Sequence, residues 1–165
     1  MKNVEIICRL TEYENQDELG VEDRHLISEA RLTMNDAYAP YSHFLVGAAV
    51  LLENGIIIKG NNQENASYPI GLCAERVAIF SAGANYPGVA IKAIAVSATS
   101  QQFHIDKPIA PCGACRQAIS EYEYRFKKNI RVIMTGETGK VIAAENVSSL
   151  LPFQFNSDDL KSKKK

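Results

Sequence analysis

Two short stretches carry most of the information about this chain: Cys73-Ala74-Glu75-Arg76 and Pro111-Cys112-Gly113-Ala114-Cys115-Arg116-Gln117. They provide three thiols in the spacings C-x-E and P-C-x-x-C. Three thiolates are enough to hold a catalytic zinc ion while the fourth position stays open to water. Glu75 follows one possible ligand by two residues and need not bind the metal, so its carboxylate is available to move protons. We therefore interpret the two stretches as two parts of one zinc centre.

Both stretches are predicted to begin helices, and Gly83 and Asn85 mark the end of the first of them. The first turn of a helix leaves backbone N–H groups unpaired and carries partial positive charge, which stabilises thiolates. Two alternatives remain open on the residues alone. Cys112 and Cys115 would also fit a redox dithiol. A structural zinc would need a fourth protein ligand, and Cys8 and the three histidines (His25, His43 and His104) lie in no ligand-like spacing.

Several further motifs accompany these stretches in a fixed order along the chain. Together they resemble the small, three-cysteine, homotetrameric cytidine deaminases of nucleoside salvage, over residues 23–160. The additional motifs that carry the resemblance are Tyr41-Ser42-His43-Phe44-Leu45-Val46-Gly47-Ala48-Ala49, Glu64-Asn65-Ala66-Ser67-Tyr68 and Leu150-Leu151-Pro152.

The alternation of helices and strands predicts an α/β fold, a three-layer α/β/α sandwich around a mixed, roughly five-stranded sheet, and the resemblance implies the same fold. Helices are predicted over residues 21–38, 73–84, 112–126 and 146–151. Strands are predicted over residues 44–52, 56–61, 90–98, 130–135 and 140–144, the first two joined by an Asn-Gly turn.

We divide the chain into an N-terminal extension of unknown role (1–20), a deaminase domain (21–156) and a charged C-terminal tail (157–165). The extension contains a β-prone run over residues 4–10. Within that run, Cys8 is expected to be a small buried apolar residue of a strand, with no functional role.

The resemblance implies a reaction: hydrolytic deamination of cytidine and 2'-deoxycytidine to uridine and 2'-deoxyuridine plus ammonia. Cys73, Cys112 and Cys115 are expected to hold one zinc ion per chain, which lowers the pKa of its bound water. Glu75 is then the general acid and base that passes the water proton to the pyrimidine ring nitrogen and another to the departing amine.

Substrate-binding roles also follow from the resemblance. Phe44 is expected to stack on the base, although a strand core position would equally suit a phenylalanine. Asn62 and Glu64 are expected to bind the ribose hydroxyls. Two aromatic residues are expected to act across subunits, Tyr68 at the sugar end and Phe155 over a neighbour's site. The nearby Phe153 leaves the choice of closing aromatic open, and Ala74 completes the expected substrate-binding set.

Three residues next to the ligands are expected to balance charge. Three thiolates and Zn²⁺ form a net negative centre, which opposes ionisation of a bound water. Arg76 and Arg116 are each one residue past a motif and could donate hydrogen bonds to the sulfurs, with help from Gln117. Alternatively, both arginines could pair with surface carboxylates.

Composition excludes several classes of function. The 165-residue chain has a formal net charge of −1, so it offers no basic surface for nucleic acid and does not suit a polynucleotide editor. Its apolar runs are too short for a bilayer, which predicts no membrane association. Free thiols suggest the cytoplasm. The competing functions are a blasticidin-type deaminase and, outside enzymes, a zinc-stabilised binding module.

Overall fold

Six strands form one mixed sheet in the computed structural model, which describes residues 1–161. The strand order is β1-β6-β5-β4-β2-β3. β4 and β5 are parallel and all other neighbours are antiparallel. The strands are β1 (Thr11–Tyr13), β2 (Phe44–Leu52), β3 (Ile57–Asn61), β4 (Ile91–Ser100), β5 (Arg131–Thr135) and β6 (Val141–Ala144). The helices are α1 (Val21–Met34), α2 (Ala74–Asn85) and α3 (Gly113–Phe126).

Both faces of the sheet are covered by helices. Along β2, Ala48 and Val50 pack in one cluster with residues of α2 and α3, whereas Ala49 and Leu51 pack in a second cluster with residues of α1. Successive strand residues point to opposite faces, so a strand covered on both sides must be apolar throughout. This arrangement confirms the predicted three-layer α/β/α sandwich.

Most strand and helix bounds lie within two residues of the predicted ones. However, α1 ends at Met34 instead of residue 38, and the helix predicted over residues 146–151 is a three-residue 3-10 helix, Val147–Ser149. The N-terminal segment also differs from the prediction. The β-prone run over residues 4–10 is exposed and irregular, and Cys8 is exposed rather than buried in a strand. The sixth strand, β1, begins only at Thr11, which pairs with Ala143 of β6. β6 ends one residue later, at Ala144, so the earlier β-prone residues have no partner strand there.

The remainder of the N-terminal segment packs on the body of the protein. Leu19 is buried among residues of α1 and β2. At the other end, residues 157–161 form a turn in which Lys161 pairs with Asp158. The rest of the lysine-rich tail, residues 162–165, lies outside the described residues. Within residues 1–161, no helix is both long and apolar enough to cross a membrane.

A close backbone contact sets the position of α2 on the sheet. A Cβ atom added to Gly60 of β3 would lie 2.5 Å from the nitrogen of Ala78 and 2.6 Å from the carbonyl oxygen of Ala74. Neither contact could be relieved by turning a side chain, because both neighbours are backbone atoms of α2. The first turn of α2 is therefore held against the sheet at a distance that only glycine permits.

We predict that Gly60→Ala lowers the free energy of unfolding by about 1–3 kcal/mol, because the added methyl group forces α2 away from the sheet. Urea unfolding followed by circular dichroism measures this change. Gly88→Ala is the matched control, since a Cβ at Gly88 meets nothing within 4 Å. Equal stability of the two variants would contradict the tight packing of α2 on β3.

Candidate metal centre

Three cysteine sulfurs meet where two helices begin. Cys73 is the N-cap of α2, Cys112 is the N-cap of α3, and Cys115 lies buried in the first turn of α3. The Sγ atom of Cys112 is 3.8 Å from that of Cys73 and 3.5 Å from that of Cys115. All three ligand atoms lie within 4.8 Å of one another. The fold thus joins residues 39 positions apart into one sulfur cluster.

The donor set suits a zinc ion. Thiolates bound to tetrahedral zinc at about 2.3 Å lie about 3.8 Å from each other, close to the separations found here. Among the residues that the structure describes, the cluster contains three ligand residues and no fourth. A three-residue set leaves one coordination position free, which is the arrangement of catalytic rather than structural zinc sites.

The cluster is chemically prepared for a cation. The pKa of Cys73 is lowered to about 5, because the Cys115 thiol and the Arg76 guanidinium both stabilise its anionic form. The pKa of Cys115 is raised, because its thiol is hydrogen-bonded to Cys73 and because it is buried. Cys73 is therefore a thiolate at neutral pH, and a bound cation would favour ionisation of the other two thiols.

Arg76 lies beside the sulfur of Cys73, as the sequence predicts. Its Nη2 atom lies 3.9 Å from the Sγ atom of Cys73 and 3.5 Å from the carbonyl oxygen of Gly71. Its Nε atom is buried and has no hydrogen-bond partner within residues 1–161. A partly buried guanidinium beside sulfur offsets negative charge that three thiolates would bring to the centre.

Arg116 and Gln117 make different contacts from those expected. Arg116 donates from Nε to the carbonyl oxygen of Pro111 at 2.8 Å and from Nη1 to that of Leu150 at 2.9 Å. Gln117 donates to the carbonyl oxygen of Phe155 at 2.6 Å. These two side chains anchor neighbouring segments instead of the ligands.

Glu75 lies next to the sulfur cluster and lines the adjoining cavity. The residue is buried, with only 4% of its surface exposed. Burial raises the pKa of Glu75, and the negative charge of Cys73 acts in the same direction, whereas hydrogen bonds from its own backbone and from Cys115 oppose the shift. A carboxyl group whose pKa lies above its ordinary value can both accept and return a proton near neutral pH.

A cavity of about 680 Å³ opens beside the sulfur cluster. It brings together most of the predicted site residues. The fully buried Ala74 and the exposed Phe155 are not part of its lining. The residues that line it are Tyr41, Ser42, Phe44, Val46, Asn62, Gln63, Glu64, Asn65, Tyr68, Gly71, Leu72, Cys73, Glu75, Val96, Ile109, Ala110 and Cys112.

Glu64 is held in place at the wall of this cavity. Its Oε2 atom accepts hydrogen bonds from the backbone N–H groups of Tyr41 at 2.9 Å and Ser42 at 3.2 Å, and its Oε1 atom accepts one from the Ser42 hydroxyl. Burial alone would raise the pKa of Glu64, but these hydrogen bonds outweigh it, and the pKa lies below its ordinary value. Glu64 is therefore an ionised acceptor whose carboxylate is oriented by three hydrogen bonds.

Asn62 lies where β3 ends and continues its pairing with β2 through its side chain. Its Oδ1 atom accepts from the N–H of Val46 at 2.8 Å, and its Nδ2 atom donates to the carbonyl oxygen of Phe44 at 2.9 Å. One N–H of the amide remains for another partner. The Asn62 side chain thus binds the backbone of Phe44 and of Val46, which both line the cavity.

Some lining residues were missed by the sequence analysis as site residues. Tyr41 packs edge-on against Tyr68, with ring centroids 5.7 Å apart. Ile109 and Ala110 form the wall beside Cys112. A signal was present for these residues, because each lies within or directly before a quoted motif, but motif position does not reveal which side chains face a cavity.

Comparison with known proteins assigns the family. A family model described as the cytidine and deoxycytidylate deaminase zinc-binding region matches residues 21–133. A cytidine deaminase of Sporosarcina psychrophila is 42% identical over 136 residues, which cover 82% of this chain and 92% of the relative. A probable cytidine deaminase of Dictyostelium discoideum is 35% identical over 152 residues, covering 90% and 91% of the two chains. The chain belongs to the cytidine and deoxycytidylate deaminase family.

Solved structures agree with this assignment. The crystal structure of cytidine deaminase from Burkholderia pseudomallei shares 42% sequence identity and superposes with a TM-score of 0.68. The match covers 79% of this chain and 97% of that one. The crystal structure of cytidine deaminase from Mycobacterium leprae, at 30% identity, superposes with a TM-score of 0.60. That match covers 81% of this chain and 100% of the other.

We predict about one zinc ion per chain, held by Cys73, Cys112 and Cys115. Replacing any of these three by alanine should remove most of the metal, because two thiolates cannot hold it tightly. Elemental analysis of the purified variants measures the zinc content. Cys8→Ser is the matched control and should keep the wild-type content, since Cys8 is exposed in the N-terminal segment. Zinc loss from Cys8→Ser would contradict this ligand set.

Proposed function

We propose that this protein is a zinc-dependent hydrolase that converts cytidine and 2'-deoxycytidine to uridine and 2'-deoxyuridine, with release of ammonia. The observation that carries the proposal is the position of Glu75, a buried carboxyl group two residues past one sulfur ligand and facing the cavity. A cavity of about 680 Å³ is within the size range of small-molecule sites. The named relatives are cytidine deaminases.

The metal and the residues around it have separate tasks. Cys73, Cys112 and Cys115 hold the ion, and Arg76 offsets the negative charge of the sulfurs. When bound, zinc supplies the Lewis acidity that lets a water molecule give up a proton near neutral pH.

Glu75 carries the protons of the reaction. Its carboxylate takes one proton from the attacking water and delivers it to the ring nitrogen beside the amino-bearing carbon of the base. The water oxygen bonds to that carbon, and Glu75 then takes the second proton from this oxygen and passes it to the amine. The carbon–nitrogen bond breaks, the oxygen becomes the carbonyl oxygen of the product, and the amine leaves as ammonia. The burial that raises the pKa of Glu75 suits it to this work, because the group must both accept and donate at neutral pH.

The substrate is bound by groups on the opposite side of the cavity. Phe44 lies beside the base, and Asn62 and Glu64 bind the sugar hydroxyls. The ionised carboxylate of Glu64 has only acceptors to offer, which matches the hydroxyl donors of a ribose. Ala74 contributes through its backbone at the start of α2, because its side chain is fully buried. These features favour a nucleoside over a substrate of the blasticidin type.

Exposed aromatic residues near the cavity support a shared site in a homotetramer. Tyr68 is 74% exposed and lines the cavity of its own chain. Phe155 is 58% exposed and lies outside that cavity, while Gln117 holds its carbonyl group. Phe155 is therefore available to cover the site of a neighbouring subunit. Free thiols that bind metal suit a reducing compartment, and we place the enzyme in the cytoplasm.

The first prediction for this function concerns Glu75. Glu75→Gln should keep its zinc and its fold yet lose about three orders of magnitude in kcat for cytidine, because an amide cannot shuttle protons. The decrease of cytidine absorbance measures the rate. Glu121→Gln is the matched control, an exposed carboxyl change on α3 that should leave the rate unaltered. Activity of Glu75→Gln within about tenfold of wild type would point to a non-catalytic zinc module.

The second prediction concerns the shared site. Phe155→Ala should raise the KM for cytidine about tenfold, because it removes apolar cover worth roughly 1–3 kcal/mol. Phe153→Ala should alter stability or association more than KM, although Phe153 is even more exposed, at 81%. Light scattering should give a tetramer mass for the wild type. A fully active monomer would refute the shared site and leave the zinc chemistry intact.

A further inference from the structure

Residues 101–110 form most of the connection between β4 and α3 and part of the cavity wall. Ile109 and Ala110 at its end line the cavity, and Pro111 and Cys112 follow directly. The loop, called the 101–110 loop below, therefore joins the substrate side of the cavity to the metal side. Exposed loops are usually mobile, so the contacts that hold this one decide the shape of the wall.

The turn between β5 and β6, residues 136–139, holds this loop through four polar contacts. The N–H of Glu137 donates to the carbonyl oxygen of Ile105 at 2.9 Å, and the N–H of Ile105 donates to Oε1 of Glu137 at 3.2 Å. The ring of His104 reaches Oε2 of Glu137 through Nδ1 at 3.2 Å and the Thr138 hydroxyl through Nε2 at 2.9 Å. One imidazole and one carboxylate thus tie the loop to the turn.

The backbones of turn and loop also lie in close contact. A Cβ atom added to Gly136 would lie 2.5 Å from the carbonyl oxygen of Ile105 and 2.8 Å from that of Lys107. Gly139 has a φ of +82°, and a Cβ atom added to it would clash with the carbonyl group of Asp106. Ile105 itself is buried, at 3% exposure. The loop and the turn therefore pack backbone against backbone, in addition to their side-chain contacts.

The turn over residues 136–139 is itself hydrogen-bonded to β4 and to α1. The carbonyl oxygen of Gly136 accepts a hydrogen bond from the Ser97 hydroxyl of β4 at 3.0 Å. It also accepts one from Nη2 of Arg31 on α1 at 3.1 Å. The turn is consequently a rigid support, because it is connected to both the sheet and a helix.

Phe103 connects the 101–110 loop to the base side of the cavity. Its ring centroid is 6.4 Å from that of Phe44, and the two planes are tilted by 38°. This separation is in the range where aromatic pairs attract each other. Phe103 is 58% exposed and is not part of the cavity lining, so it reaches the substrate only through Phe44.

We propose that the turn over residues 136–139 anchors the 101–110 loop so that Phe103 positions Phe44 against the base of the substrate. Phe103, His104 and Glu137 are then positioning residues, which set the affinity of the site for its substrate and take no part in proton transfer. This assignment rests on the proposed function, because Phe44 faces the base only if the cavity binds a nucleoside.

A kinetic experiment tests the role of Phe103. In Phe103→Ala, the KM for cytidine should rise about three- to tenfold, which is the range expected for losing one aromatic pair, while kcat and zinc content stay near wild type. Phe103→Tyr should restore KM, since it keeps the ring. Gln102→Ala, an exposed change in the same loop, is the matched control and should not alter KM. A fall in kcat with unchanged KM would overturn the positioning role.

Hydrogen exchange tests the anchor independently of any activity. In His104→Ala and in Thr138→Val, the amide protons of Ile105 and Glu137 should exchange faster than in wild type, while the amides of α2 and α3 keep their rates. Exchange at Ile105 that equals wild type in both variants would overturn the anchor. A zinc-loaded wild-type protein that leaves cytidine unchanged would refute the proposed function alone, and exchange would still decide whether the anchor exists.

Discussion

The convergence of two helix N-termini on three sulfur atoms is the constraint on which the rest of the site depends. Cys73 and Cys112 are the N-caps of α2 and α3, and the unpaired N–H groups of these helices favour anionic sulfur at the point where they meet. Helices can meet in this way only if the sheet beneath them holds their first turns close together. The glycine contact between β3 and α2 supplies one half of that support. The parallel pair β4 and β5, which α3 connects, supplies the other half.

Two glutamates that both line the cavity, Glu64 and Glu75, have pKa values shifted in opposite directions by their surroundings. Glu75 is buried beside a thiolate, which raises its pKa and prepares it to exchange protons. Glu64 lines the same cavity and accepts hydrogen bonds from Tyr41 and Ser42, which lower its pKa and keep it charged. The environments of these carboxyl groups, and not their chemistry as free side chains, distinguish the proposed proton carrier from the proposed sugar-binding acceptor.

The architecture was largely predictable from the sequence because its signals are strong and local. β2 and β4 are apolar runs typical of strands buried on both faces, and the three helices have clear periodicity. The N-terminal run over residues 4–10 shows where such reasoning stops. Its β-branched residues favour a strand, but a strand forms only where a partner is present, and β6 is too short to provide one.

The sequence by itself identified the three cysteines that cluster, the carboxyl group beside them and the family, because each depends on residue type at short, fixed spacing. Only the tertiary structure decided which neighbours serve the centre. Arg76 reaches sulfur, whereas Arg116 binds two carbonyl groups, although both follow a motif by one residue. The same holds for Phe103 and His104, whose partners Phe44 and Glu137 lie far away in the chain. Contacts of this kind depend on side-chain direction and on packing between distant segments, and neither is encoded in local spacing.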